Sequence, residues 1–238
     1  MGLFSIVTKP IGCILTLIGG IVVVLILMVV GFFWAIDTMA PQLAEEIVTE
    51  ATGFPTTIND ASVNFRNQSL TFEGVEIDNP SDYPDQEFLR ISEFTIGLDR
   101  DNSSEQNLVI SEITLAIEEL AFLQGNMSTS NLEAFFESAE VNWDQILSQV
   151  AEEAASRDQM VPEKLLVNQL NLSIDRIKMV DTSGPETIYR ALDLGYSESF
   201  EKVTEIRPVL QAISNEFVSK GLFEIAEPIQ EVIKDSQN

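Results

Sequence analysis

The sequence predicts an α+β protein. It reads as one N-terminal transmembrane helix, then a strongly bent antiparallel β-sheet of about six strands, with an inserted helix and C-terminal amphipathic helices packed on it. Three observations carry this. The stretch from Ile11 to Ile36 contains no charged residue. A phrase of period two recurs along the chain. Apolar residues between and after these phrases fall at helical spacing.

The uncharged stretch comes first. As a helix it would be about 39 Å long, enough to cross a hydrocarbon core of roughly 30 Å with some tilt. A cleavable signal has a shorter apolar region of about 7–15 residues, so the stretch reads as an uncleaved anchor. Lys9 precedes it; Asp37, Glu45, Glu46 and Glu50 follow, and the next basic residue is Arg66. The positive-inside rule then makes residues 1–10 a cytoplasmic tail, 11–36 the anchor, beginning at Ile11, and 37–238 an extracytoplasmic domain. Trp34 sits where an interfacial aromatic belt would lie. Gly12, Thr16 and Gly20 recur every four residues. That spacing is either a small-residue face for helix pairing or the ordinary abundance of glycine in membrane helices.

The recurring phrase has alternating apolar residues broken by two adjacent polar ones. LRISEFTIGLD contains Leu89, Ile91, then Ser92 and Glu93, then Phe94 and Ile96. LVISEITLAIE repeats it with Leu108, Ile110, then Ser111 and Glu112, then Ile113 and Leu115. Leu165, Val167, then Asn168 and Gln169, then Leu170, Leu172 and Ile174 form another copy. LTFEGVEID carries Leu70, Phe72, then Glu73 and Gly74, then Val75 and Ile77. TTINDASVNF is a weaker copy, and TIYRALDLGY, ending at Tyr196, a partial one. Period two means strands with one apolar face. Two adjacent polar residues shift the alternation by one and would turn the second half of a straight strand over. A β-bulge at each pair keeps the apolar side chains together and bends the sheet. The alternative is two short strands meeting at a sheet corner.

Helices account for the rest. Ser130 and Glu133 form a capping-box pattern that opens a helix reaching about Arg157. A short helix is expected over 41–52. Ile206, Val209, Leu210, Ile213 and Phe217 recur at helical spacing after the strands, with Pro208 near the start. Gly221 interrupts, and a second amphipathic helix is expected from Leu222 to Lys234.

Composition excludes more than it assigns. Thirty-eight acidic residues against 13 basic ones give a formal net charge of −25. Such a chain repels nucleic-acid phosphates at long range, so nucleic acid is set aside as a partner. No His is present and Cys13 is the single cysteine, which removes the usual general base and any internal disulfide. Asp99, Asp101 and Ser103 have the spacing of a calcium loop, but Ser104 replaces the glycine and Ile110 the terminal glutamate. Neither a metal site nor a cofactor is expected. Paired acids such as Glu118 with Glu119 and Glu152 with Glu153 arise readily in so acidic a chain, and no enzymatic activity is expected.

After the anchor come ATGFPTTINDASVNF, then SLTFEGVEIDNP, then LRISEFTIGLD, then the helix start NLEAFF. This order of motifs resembles the N-terminal module of AsmA-like envelope proteins, in a short, singly anchored form. The likeness covers about residues 1–136 and, weakly, 165–196. Gln68-Ser69 stands where the family has glycine, and the C-terminal third has no counterpart. The resemblance implies a bacterial inner-membrane protein with its main domain in the periplasm and a role in outer-membrane lipid homeostasis. Relatives with many more strands form open grooves for phospholipid.

Two functions follow as expectations. One is lipid binding on the apolar sheet face, lined by Phe72, Ile77, Ile91, Phe94, Ile96, Ile110, Ile113, Leu115, Leu170 and Leu172. The other is a non-catalytic structural or adaptor subunit of an envelope complex, with other envelope proteins, or itself through the anchor, as partner. They differ in whether that face is filled by the protein's own helices.

Overall fold

The computed structural model describes residues 45, 48, 49, 52–104, 107–124, 130, 131, 134, 135, 164–204 and 207–222. Six strands form one sheet in chain order: β1 (Thr56–Asn64), β2 (Ser69–Asp78), β3 (Glu87–Leu98), β4 (Asn107–Gln124), β5 (Lys164–Asp181) and β6 (Ile188–Val203). Helix α1 (Arg207–Ser219) follows. Helical residues also occur at 45, 48, 49 and 52, and at 131, 134 and 135.

The expected architecture needs correction in three respects. The sheet is mixed, because β4 and β5 run parallel while the other neighbours are antiparallel. A parallel pair needs a crossover of a dozen or more residues, and the segment between Gln124 and Lys164 supplies it. One helix, α1, is complete among the described residues, rather than several C-terminal ones. Gly221, at φ 76°, ends it: the Leu222 N–H donates to the Phe217 carbonyl at 2.8 Å and the Gly221 N–H to the Val218 carbonyl at 3.0 Å. Residues 223–234, expected as a further helix, lie outside the described residues. Finally, no helix among the described residues is long and apolar enough to cross a membrane. The expected anchor, with Ile11, Gly12, Thr16, Gly20 and Trp34, lies outside them.

The phrase with two polar residues is not a corner, because each strand runs on through it; the register shifts there between β3 and β4 and between β5 and β6, while in the other pairs one or two residues of each strand are left unpaired with the register kept. Pairing between β1 and β2 skips Asn59 and Gly74, and between β2 and β3 it skips Gly74 and Ser92. Between β3 and β4 it drops Ser92 and Glu118, on either side of the pair Ile91–Ile117. Between β4 and β5 it skips Glu118 and Asp175, and between β5 and β6 it sets Leu194 and Gly195 against Asp175 alone. One oblique line of interruptions thus crosses all six strands. A second crosses the longer ones at Ser111, Asn168 and Lys202, seven residues from the first (111 to 118, 168 to 175, 195 to 202). Seven residues of strand span about 23 Å.

Each skipped residue lets the apolar steps change from two to three without changing face. Buried positions run Leu70, Phe72, then Val75, Ile77 in β2, and Leu89, Ile91, then Phe94, Ile96 in β3. In β4 they run Ile110, then Ile113, Leu115, Ile117, then Leu120; in β5 Val167, then Leu170, Leu172, Ile174, then Ile177. All belong to one core. A smaller apolar cluster of Ala121, Leu123 and Val180, with Tyr83 against it, lies apart from this core.

Two buried asparagines hold the sheet's end. Asn131 Nδ2 donates to the Ala121 carbonyl at 2.8 Å and to Asn79 Oδ1 at 3.1 Å, while its Oδ1 accepts from the Leu123 N–H at 2.9 Å. Its amide thus bonds β4 as another strand would. Asn79 Nδ2 donates in turn to the carbonyls of Asp85 at 2.9 Å and Glu87 at 2.8 Å. Every polar atom of both side-chain amides has a partner.

Two expectations follow. Asn131→Leu leaves three buried polar groups unpaired and costs about 3 kcal/mol or more in urea unfolding. Asn131→Asp costs more at neutral pH, since a carboxylate there faces two oxygens; its carboxyl pKa is raised in the fold, so stability returns as pH falls toward about 3.9. A Cβ at Gly74, φ 61°, would lie 2.3 Å from Nδ2 and 3.1 Å from Cβ of exposed Asn59, so that side chain must shift, whereas a Cβ at Gly195, φ 58°, meets open space. Gly195→Ala should therefore cost about 1 kcal/mol, and Gly74→Ala about 2 kcal/mol or more, by the same measurement.

Candidate functional site

The ten residues expected to line a groove are brought together on one sheet face, and all are buried. The most exposed is Ile77 at 5%; Phe94, Ile96 and Ile110 are at 0%. The register arranges them in cross-strand rows. One row is Ala61, Phe72, Phe94, Leu115 and Leu172, ending on β6 at Glu198. The next is Val63, Leu70, Ile96, Ile113, Leu170 and Phe200. On the far side of the first row lie Ile58, Val75, Ile91, Ile117, Ile174 and Tyr196. Within them the rings of Phe72 and Phe94 stack at 6.3 Å. Such face-sharing neighbours are the unit of sheet stability.

What meets these rows is the chain itself. Val209, Leu210, Ile213 and Phe217 of α1 are each 4% exposed or less and belong to the same core as the ten. Leu222, just past the glycine that ends α1, joins them. At the other end of the sheet, Phe54, Phe88 and Phe135 form a triangle with ring centroids 5.1–5.2 Å apart. These three come from the segment before β1, the start of β3 and the start of the crossover.

The ATGFP motif positions Phe54. Thr52 Oγ1 donates to the Val48 carbonyl at 2.7 Å and accepts from the Phe54 N–H at 3.2 Å, so the chain leaves a helical turn in a fixed direction. Glu45 and Thr49, from the same segment, accept the N–H groups of Ile58 and Thr56 at 2.7 and 3.1 Å.

Polar groups lie at the margin of this face and on the opposite one. Tyr196 donates from its hydroxyl to Glu198 at 2.9 Å. Burial, then the Glu198 carboxylate, pushes the phenol pKa upward, so it stays protonated and keeps donating. Lys178 bridges Asp85 at 2.8 Å and Glu87 at 3.1 Å, with its ammonium 5.5 Å from the Tyr189 ring. Burial opposes the Lys178 charge, and hydrogen bonds to the two acids outweigh that, so its pKa is raised. Arg176 reaches Asp193 at 3.0 Å and Glu119 at 3.6 Å.

The remaining candidates show structural roles. Asp99 accepts from the Asn102 backbone at 3.1 Å and side chain at 2.8 Å, which closes the turn expected as a solvated loop. Among the described residues no group of three or more acids or cysteines could hold a metal ion. Glu119 is engaged by Arg176, and Glu118 is one of the skipped residues; Glu152 and Glu153 lie outside the described residues.

Burial of the ten predicts how they respond to substitution. Leu115→Ala should cost about 2–5 kcal/mol through lost burial and a cavity. Leu115→Asp places an unpaired carboxylate in the core and should prevent folding, as read by circular dichroism and urea unfolding. A groove-lining residue open to solvent would tolerate both changes with little loss of stability.

No protein-family model matches the chain, and no curated protein or solved structure matches it.

Proposed function

We propose that this chain is a non-catalytic interaction module of the cell envelope, held at a membrane through its uncharged stretch 11–36 with the described sheet on the periplasmic side. The observation that carries the reading is that the apolar sheet face is buried within the chain, in one core with α1. Four side chains of that helix share a core with all ten groove candidates. A face already covered in this way supplies stability, not a vacancy for a lipid tail.

The motif order shared with AsmA-like N-terminal modules supports the envelope setting. Residues of those motifs, Phe54 of ATGFP, Asn79 of IDNP, and Asn131 with Phe135 of NLEAFF, meet around one end of the sheet. Charge supports a soluble domain that avoids anionic lipid headgroups, since the chain carries a net −25. The absence of histidine, together with acids engaged in turns and ion pairs, supports a non-catalytic role.

The test is native mass spectrometry of the full chain extracted in mild detergent. The expected result is a folded protein with no phospholipid at stoichiometric occupancy once detergent is stripped. Stoichiometric phospholipid that survives stripping would overturn the reading and point to a groove opened by movement of α1.

A further inference from the structure

The two edges of the sheet are treated differently. On β1, the outward N–H groups of Thr56 and Ile58 are taken by Thr49 and Glu45, so the chain blocks that edge with its own side chains. On the other side, β6 has a hydrogen-bonded neighbour, β5, on one flank only among the described strands. It is 16 residues long and exposed along most of its length. Three large apolar residues are exposed among the described ones, and two of them, Ile188 at 47% and Tyr189 at 58%, are adjacent on β6. A long edge with exposed apolar residues is a template for strand pairing.

We propose that β6 pairs antiparallel with β6 of a second copy, about a two-fold axis through Leu194. Charge and shape select this partner and this register. The even-numbered residues of β6 from 188 to 200 share the inner face: Leu192, Leu194, Tyr196 and Phe200 belong to the core, and Arg190 pairs with Met179, which packs on it. With Leu194 opposite itself, Ile188 meets the copy's Phe200, Arg190 meets its Glu198, and Leu192 meets its Tyr196. On the outer face, Tyr189 meets Ser199, Ala191 meets Ser197, and Asp193 meets Gly195. No like charges face each other, and by symmetry each pair occurs twice. Moving the register so that Arg190 faces Glu201 would instead set Asp193 against Glu198. Glu198 is also held in place by the Tyr196 hydroxyl, which lowers the cost of ordering it.

The consequence is a single sheet of doubled width, with both copies of α1 on the same side. The apolar rows that run out at Leu192 and Phe200, both only half buried, continue into the partner. This rests on reading the chain as an interaction module and names one partner for it.

The experiment is a charge exchange on the full chain in mild detergent, with mass read by native mass spectrometry across a dilution series. The unaltered chain should be a dimer. Arg190→Glu and Glu198→Arg should each weaken dimerisation about tenfold or more, and the double variant Arg190→Glu/Glu198→Arg should restore it to within about threefold. A second measurement does not depend on affinity. In a Cys13→Ser background, Ala191→Cys with Ser197→Cys should form a disulfide-linked dimer under mild oxidation, because these positions face each other across the axis. A monomer at all concentrations, a dimer insensitive to both charge changes, or no cross-link would overturn the pairing. A lipid-free monomer would do so while leaving the interaction-module reading standing; a lipid-loaded chain would remove that reading by itself.

Discussion

Everything in this fold depends on keeping one apolar face through strands whose alternation is broken. Without a skipped residue, a polar pair such as Ser92-Glu93 would point Phe94 and Ile96 away from Leu89 and Ile91. The strand would then expose half its apolar side chains. A single bulge in one strand would also misalign its neighbours. The interruptions must therefore line up across the sheet, and they do, from Asn59 to Gly195. Gly74 shows why residue type matters along the line: its backbone takes a conformation that side chains disfavour, in contact with Asn59. Gly97 plays a related part near the second line, where a Cβ would lie 2.4 Å from the Oγ of the skipped Ser111.

Much of this was legible because period two and its interruptions are local signals. The polar pairs Ser92-Glu93 and Asn168-Gln169, and Glu73 with Gly74, mark the skipped positions directly. The apolar spacing around Ile213 marks α1. Strand direction was not legible in the same way, since a strand's pattern reads identically whichever way its neighbour runs. The signal for the parallel pair was the length between the phrase ending at Glu118 and the one beginning at Leu165. A hairpin has no use for so long a connection, whereas a crossover must carry the chain back along β4, about 56 Å. Strand β6 ran past its expected end at Tyr196 to Val203 because SESFEKV is polar on both sides of an edge, and edge strands lack the alternation of a half-buried one.

The asparagine pair was present in two motifs but not as a pair. Asn79 and Asn131 are 52 residues apart, and sequence spacing alone does not bring them together. Their chemistry explains why an amide is needed at both places. Asn131 donates two hydrogen bonds and accepts one, whereas an ionised carboxylate has no proton to donate and a hydroxyl has only one. Because the Ala121 and Leu123 backbone groups are buried there, leaving them unpaired would cost more than the bonds themselves contribute. The start of the crossover is therefore fixed to the sheet by polarity, while the adjacent Phe54, Phe88 and Phe135 triangle fixes it by packing.

With the apolar face buried in one core with α1, the groups left for contact with other molecules lie at the margins of the sheet. The apolar rows end differently at the two edges. At β1 they close against Val48 and Phe54, and the outward amides are occupied. At β6 they stop at half-buried Leu192 and Phe200, beside a carboxylate that Tyr196 holds in place. The net charge of −25 works against association of like copies, but at physiological salt that repulsion is screened over about 8 Å. Contacts inside that distance, such as Arg190 with a facing Glu198, are screened far less. Local charge order can therefore set register and partner at an edge even where the overall charge opposes contact, and the long-range repulsion penalises every arrangement that lacks such pairs.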